Sequence, residues 1–163
     1  GFDERVFSSE KRSADRNRAL AFFMKSMGFL HGDVEAILDF YFLLCSLRCT
    51  SGDLAKIGAM IASGGIAIHS GEQVIKKETA FTLIGLMSTC GLYNGSGEFA
   101  VRVGLPGKSG VSGGILAVAP GMMGIGVFSP SLDAKGNSVA GIKALELLSE
   151  KLNLRRLGKY DKG

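Results

Sequence analysis

Two short apolar runs, residues 113–119 and 123–128, stand on either side of Pro120-Gly121, and this pair constrains the fold more than any other feature. Each run has strand length, and a Pro-Gly dipeptide marks a turn. The stretch from Ile115 to Phe128 is too short, and too plainly broken at Pro120-Gly121, to cross a bilayer. It therefore reads as an antiparallel hairpin. A lone hairpin is marginal in water. Its further strands must come from residues 98–103, which fit helix and strand equally, from another chain, or from sequence outside these 163 residues.

The segments before the hairpin have helical period. Ser13 can cap a helix whose apolar positions Leu20, Phe23, Met24 and Met27 recur at i, i+3, i+4 and i+7, with Gly28 as its stop. A second helix begins near Asp33, with Val34, Ile37, Leu38, Tyr41, Phe42 and Cys45 on a broad apolar face. Thr50 or Ser51 caps a third, through Leu54, Ile57 and Ile61, ended by Gly64-Gly65. A fourth runs from about Lys77 to Cys90 and stops at Gly91. After the hairpin, Asn137 or Ser138 opens a last helix whose Val139, Ile142, Leu145 and Leu148 face should pack on the sheet, with Leu152 following. Residues 1–92 are thus mainly helical, and residues 93–163 carry strands and a terminal helix. This order predicts an α+β fold.

Composition narrows the function classes. Apolar residues make up 46% and charged residues 21%, as in a soluble globular domain. Glycine, 24 of 163, is about twice its usual share and clusters between apolar runs, where backbone meets backbone or ligand. The net charge of +4 is concentrated only in the tail from Lys151 to Lys162, with Arg155 and Arg156, which reads as a solvated face and not a nucleic-acid surface. Cys45, Cys49 and Cys90 form no CxxC and, with only His31 and His69 elsewhere, no metal-ligand pattern. Buried reduced thiols, no secretory leader and no membrane span give the expectation of a cytoplasmic protein without metal or organic cofactor.

The chemistry concentrates in Gly104-Leu105-Pro106-Gly107-Lys108-Ser109-Gly110-Val111-Ser112-Gly113-Gly114. Lys108-Ser109-Gly110 has the form of the K-T-G motif of β-lactamases and penicillin-binding proteins, in which a strand edge beside the active site carries a cation, a hydroxyl and a glycine. A backbone N–H just beyond it can donate to an oxyanion. The accompanying S-x-x-K motif matches only Ser8-Ser9-Glu10-Lys11, which lacks an apolar setting to desolvate the lysine and reads as surface loop and cap.

Several blocks together resemble the serine-dependent glutaminase family. They are Val6-Phe7-Ser8-Ser9-Glu10 with Ala14-Asp15-Arg16-Asn17; Ile37-Leu38-Asp39-Phe40-Tyr41-Phe42-Leu43-Leu44-Cys45-Ser46; Cys90-Gly91-Leu92-Tyr93; the Lys108-Ser109-Gly110 block; and Phe128-Ser129-Pro130-Ser131-Leu132-Asp133 with Gly136-Asn137-Ser138. They cover nearly the whole chain in order. The resemblance implies a β-lactamase/transpeptidase-like fold, incomplete in this chain, which is expected to be the C-terminal half of a glutaminase. It implies hydrolysis of L-glutamine to L-glutamate and ammonia through a serine acyl-enzyme, and homo-oligomers.

The family's glutamine contacts fall on Glu10, Asn17, Tyr41, Tyr93 and Val111, the last through its backbone N–H in the oxyanion hole, and these five are expected to share one site. Glu10 and Asn17 offer acceptors for an α-amino group and a donor for a carboxylate. Tyr41 and Tyr93 can donate to the carboxylate or relay a proton, and Tyr93 is the candidate for the catalytic role. The family's nucleophile lies upstream of the V-F-x-S-E block, so it is expected to be absent here and this chain to be inactive alone. Pro106-Gly107 stands where the family usually has Pro-Ala, an exchange expected to matter little. Two rival readings are a β-lactamase or peptidase relative on the same fold and a non-enzymatic binding module.

Overall fold

The computed structural model describes residues 1–157. The chain divides into two compact units, Gly1–Cys49 and Thr50–Gly163.

The first unit is helical. Asp3 caps α1 (Glu4–Arg12) by accepting from the Arg5 and Val6 N–H groups. Helix α2 (Asp15–Ser26) follows without a side-chain cap. Asp33 caps α3 (Val34–Cys45) by accepting from the Glu35 and Ala36 N–H groups. The core of this unit is Ala14, Ala21, Val34, Leu38 and Phe42, joined by Phe7 and Leu30.

Three expectations are corrected in this unit. Residues 8–11 are helical and not a loop, because Asp3 starts a helix three residues after the chain begins. Ser13 caps nothing C-terminal to it; its hydroxyl donates back to Ser9 C=O and closes α1. The apolar stripe of α2 is not core: Leu20, Phe23, Met24 and Met27 are exposed and only Ala21 is buried.

The second unit is built on a sheet. Thr50 caps α4 (Ser51–Ala62) in a reciprocal box with Asp53. Helix α5 (Lys77–Cys90) ends at Gly91. A single 3-10 turn (Tyr93–Gly95) leads into α6 (Ser96–Arg102). Strands β1 (Gly107–Ser109), β2 (Gly114–Ala119) and β3 (Met123–Phe128) form an antiparallel sheet in that order, and α7 (Val139–Lys151) follows. The hairpin pairs Gly114 with Phe128 through Ala119 with Met123. The third strand is the Lys108-Ser109-Gly110 block, with Gly107 opposite Ala117 and Ser109 opposite Ile115. The segment at residues 98–103 is helical instead, because Phe99 and Val103, four apart, are both buried. These elements bear out the α+β reading.

The sheet has a helical layer on each face. Ile115, Ala117 and Ala119 point to a core with Leu92, Phe99, Val103, Leu105, Leu145 and Leu154. Leu116 and Val118 point the other way, to Ile61, Ala62 and Met87. Strand β3 reads Met-Gly-Ile-Gly-Val-Phe, and its alternation serves both layers. Met123, Ile125 and Val127 join the first core. Gly124 and Gly126 face α4, whose backbone comes so close that a Cβ on Gly124 would lie 2.1 Å from Ala59 N and one on Gly126 2.0 Å from Ser51 O.

Helix α7 does pack on the sheet, but on a face rotated from the expected one. Gly141, Leu145 and Ser149 are buried with Ile142 beside them, whereas Val139 and Leu148 are exposed. A small-residue stripe admits the helix, and the Ser149 hydroxyl satisfies Val103 C=O at 2.6 Å. The cysteines also depart from expectation. All three are free and exposed. The tail is held in part: Arg155 donates to the Arg102 and Val101 carbonyls, and Arg156 N–H to Gly104 C=O. The rest of that basic stretch, with Lys159 and Lys162, lies outside the described residues.

A charge chain pins the loop before α7 to α6. Lys135 reaches Glu98 at 2.7 Å, Arg102 bridges Glu98 and Glu146 at 3.1 and 3.0 Å, and Lys143 adds a contact to Glu146 at 3.2 Å. Lys135 and then Arg102 lower the Glu98 pKa, and Arg102 and then Lys143 lower that of Glu146.

Two predictions follow from this packing. Gly124→Ala should destabilise the protein by about 1–3 kcal/mol or more through forced separation of α4 from β3. Gly85→Ala, in mid-α5 with open space around it, should stabilise by about 0.5–1 kcal/mol. Urea unfolding midpoints of the two variants would check the opposite signs. The depressed carboxylates make the second. Their stabilisation is present above the ordinary glutamate value of 4.5 and is lost as pH falls through the lower folded values. The unfolding midpoint should drop below pH 4.5 less steeply in Glu98→Gln than in the parent, and the difference should shrink in high salt, because Glu98 is exposed.

Candidate functional site

Two groups of candidate residues emerge, one in each unit. In the first unit, Asn17 stands in the first turn of α2 and Tyr41 on α3. Both line one cleft of about 240 Å³, walled by Leu20, Met24, Leu30 and Ile37. Tyr41 is half exposed and its ring meets Phe42 edge-on at 5.8 Å, so the tyrosine borders the core without filling it. Glu10 is half-buried in the last turn of α1.

The neighbour of Glu10, Lys11, is the lysine of the S-x-x-K match. Its ammonium donates to Asp39 on α3 at 2.7 Å, and its side chain is 44% exposed. It is a helix-to-helix tie in a wet setting, not a desolvated base beside a serine. Arg18 completes the tie, donating to Lys11 C=O at 3.1 Å and pairing with Glu35 at 3.0 Å.

In the second unit, Tyr93 opens the 3-10 turn with φ +51°, a left-handed conformation that a bulky residue adopts only when its surroundings impose it. Its side chain is half exposed. Lys108, on the exposed face of β1, holds its ammonium 5.4 Å from the Tyr93 ring centroid, within cation–π range. The same ammonium donates to Ser109 C=O. Val111 sits in the tight turn after β1. Gly110 N–H in that turn goes to Gly114 C=O at 2.9 Å, and Gly113 N–H to Gly110 C=O at 3.0 Å. Among the described residues no acceptor takes the Val111 N–H. Tyr93 and Val111 flank one glycine: a Cβ on Gly136 would lie 3.7 Å from Tyr93 Cε2 and 3.9 Å from Val111 Cγ1. The Tyr93 ring edge and the Val111 side chain thus meet beside Gly136, with the Lys108 ammonium within cation–π distance of the same ring.

The motif reading needs two corrections here. The hydroxyl of Lys108-Ser109-Gly110 is not presented beside Lys108. Ser109 is buried, because alternate residues of a strand face opposite ways, and its hydroxyl donates to Asn137 Oδ1 at 2.6 Å. The exchange at Gly107 has a physical counterpart as well. The Phe99 ring fills the space, and a Cβ on Gly107 would lie 2.6 Å from Phe99 Cε1. Sequence reasoning also left Gly136 and Asn137 out of the site. Their adjacency in the G-N-S block is a visible signal, but only the fold brings that block against Tyr93.

A larger apolar cleft of about 560 Å³ lies between α4 and the loop at residues 65–75, lined by Ile57, Met60, Ile68 and Val74. Its lining offers Lys56 and His69 as ionisable groups. Among the described residues, no helix is long and apolar enough to cross a membrane.

The geometry can now be set beside known proteins. The family model described as glutaminase matches residues 1–156. A glutaminase of Clostridium tetani is 55% identical over 152 residues, 93% of this chain and 50% of that protein. One of Clostridioides difficile is 53% identical over 154 residues, 94% of this chain and 50% of that protein. A crystal structure of a Bacillus subtilis glutaminase, in covalent complex with 5-oxo-L-norleucine formed by reaction with 6-diazo-5-oxo-L-norleucine, superposes with a TM-score of 0.92 at 41% identity, over 96% of this chain and 56% of that one. The chain spans about half the length of these relatives. With the match running through both helical unit and sheet, and through the segments that carry Tyr93, Lys108 and Val111, the chain belongs to the glutaminase family.

Proposed function

We propose that this chain is the substrate-recognising and oxyanion-stabilising part of a glutaminase that converts L-glutamine to L-glutamate and ammonia, and that residues 1–163 belong to a single catalytic domain. The observation that carries the reading is the open Val111 N–H in a turn bordered by Tyr93 and Lys108, in a chain of this family. A serine oxygen adds to the side-chain amide carbon of glutamine, and the carbonyl oxygen takes up negative charge. A fixed backbone donor such as the Val111 N–H stabilises that charge without reorganising, an effect worth about 2.7–4 kcal/mol per donor in a serine hydrolase. The tetrahedral adduct collapses, the nitrogen leaves as ammonia with a proton relayed through the Tyr93 hydroxyl, and water then hydrolyses the acyl-enzyme. Glu10 and Asn17 meet the α-amino and carboxylate groups, and Tyr41 donates to the carboxylate.

The serine and its lysine base come from a polypeptide segment outside these 163 residues. The one S-x-x-K match in the chain places its lysine in an ion pair with Asp39. The covalent reaction of the Bacillus subtilis relative with a diazo ketone supports an attacking nucleophile in such enzymes. That reagent has an amino-acid backbone like glutamine's and a ketone carbon where glutamine has its amide. We further propose a cytoplasmic homo-oligomer. The apolar faces of α2 and α3, with Phe23, Met27, Phe40 and Leu44 exposed, support the second part. A β-lactam-hydrolysing relative or a non-enzymatic module has no comparable support, since the relatives carry the glutaminase name along the chain.

Ammonia release is the direct test. The 163-residue chain should turn over glutamine no faster than buffer. Turnover that vanished in Ser8→Ala or Lys11→Ala would restore the local S-x-x-K motif and sink the assignment of the nucleophile to another segment. In the active enzyme, Tyr93→Phe should lower kcat more than it raises KM, because it deletes a hydroxyl used in the transition state and keeps the ring. An unchanged kcat would reduce Tyr93 to a packing residue.

A further inference from the structure

Side chains tie the backbone on either side of the Tyr93 α-carbon. Leu92 is fully buried, and side chains take both of its peptide groups. Its N–H donates to Ser96 Oγ at 2.9 Å, and its C=O accepts from Gly95 N–H at 2.8 Å within the turn and from Asn137 Nδ2 at 3.3 Å across from the loop before α7. Ser96 Oγ donates in turn to Tyr93 C=O at 3.0 Å. The peptide entering Tyr93 and the one leaving it are both held, and between them Tyr93 has its φ of +51°. Among the described residues, Asn153 is the only other non-glycine with positive φ.

Asn137 is the hub of this arrangement. It is 1% exposed. Its orientation follows from its partners: Leu92 C=O can only accept, so the amide NH₂ faces it, and Oδ1 then receives the Ser109 hydroxyl at 2.6 Å. Its backbone N–H donates to Asp133 Oδ1 at 2.9 Å, which fixes the loop. A Cβ on Gly95 would lie 3.1 Å from Asn137 Nδ2, so the 3-10 turn rests directly on the amide. One side chain thereby joins the peptide entering Tyr93, the strand that carries Lys108, and the loop whose Gly136 borders the Tyr93 ring.

We propose that Asn137 is a positioning residue of this site: its amide, with Ser96, holds Tyr93 in the left-handed conformation that sets its ring against Lys108 and Gly136. The catalytic consequence rests on the glutaminase reading; the geometric claim does not. A tyrosine released from these clamps relaxes toward negative φ, which swings the side chain away from Lys108. Packing Leu92 into the core requires satisfied peptide groups, but it does not require a left-handed residue next to it. That difference separates a positioning role from a merely structural one.

The chain has three tyrosines, so 3-fluorotyrosine labelling gives three ¹⁹F resonances, and Tyr93→Phe assigns one of them. Lys108→Met marks the shift of that resonance when the ammonium leaves the ring. Asn137→Ala should move it in the same direction and leave the Tyr41 signal in place. Ser149→Ala is the matched control, because it deletes an equally buried hydroxyl bonded at 2.6 Å to Val103 C=O. It should lower Tm without moving the Tyr93 resonance. If Asn137→Ala does not fold, Ser96→Ala releases the peptide leaving Tyr93 and reads the same signal.

A Tyr93 resonance that stays put in these variants while Tm falls would overturn the proposal. In the active enzyme, Asn137→Ala should lower kcat about 10–100-fold with KM within about twofold, and the Asn137→Ala/Tyr93→Phe double variant should be no slower than Tyr93→Phe alone. Additive losses in the double variant would also overturn it. Should Tyr93→Phe itself keep full kcat, the glutaminase role of Tyr93 fails, and the resonance measurements still decide whether Asn137 positions it.

Discussion

Strand β2 is enclosed on both edges and both faces, and the second unit is organised by that enclosure. Its edges are paired to β1 and β3, so its backbone groups are satisfied by the ladder. Its odd residues enter one core and its even residues the other. A strand in this position must be apolar at every residue, and Ile115-Leu116-Ala117-Val118-Ala119 is. The neighbouring strand then bears a different demand. Because α4 lies directly on β3, that face of β3 has room only for backbone, and Gly124 and Gly126 supply it. One buried strand thus dictates both the continuous apolar run and the alternating glycines beside it.

The site inherits its rigidity from this arrangement. Strand β1 is only three residues long, yet Ser109 N–H is taken by Gly91 C=O at 3.0 Å and its hydroxyl by Asn137. Lys108 therefore projects from a backbone fixed on both sides, next to the turn that follows α5. Removing the Cβ at Gly91 is what allows the approach, since one there would stand 1.7 Å from Gly107 C=O. The glycines of C-G and P-G in the two motif blocks meet each other, which explains why residues far apart in sequence, Tyr93 and Lys108, arrive within cation–π distance.

How much of this was legible before the fold was known differs from element to element, for physical reasons. Helices α3, α4 and α5, the hairpin and the start of α7 each carry a local signal: Asp33, Thr50 and Ser138 as caps, Gly91 as a stop, Pro120-Gly121 as a turn. The burial of α2 and α7 was not legible. Periodicity finds an apolar stripe but not what covers it. On α7 the helix turns its small residues Gly141 and Ser149 inward because the Ser138 and Ile115 side chains crowd the first and Val103 C=O meets the second, which no hydrophobicity pattern encodes. On α2 the stripe is real and remains exposed in this chain, so its complement is not among the described residues. Likewise the resemblance names Tyr93 and Val111, but Asn137 and Ser96 act through peptide groups of Leu92 and Tyr93, and nothing in their own residue types distinguishes them from ordinary caps.

Two lysines in family motifs show why environment and not motif decides a role. Lys11 completes an S-x-x-K tetrapeptide and Lys108 a K-S-G tripeptide, each a pattern associated with serine hydrolases. Lys11 spends its donors on Asp39 and joins α1 to α3, in half-exposed surroundings with no hydroxyl bonded to it. Lys108 is carried on a strand fixed by buried contacts and lies over an aromatic ring held in an unfavourable backbone conformation. A conformation of that kind persists only where the surroundings over-determine it, and such places cluster at functional sites. The backbone around Tyr93 is over-determined by three side-chain hydrogen bonds, and that excess of restraint, more than the tripeptide beside it, supports the role proposed for Tyr93.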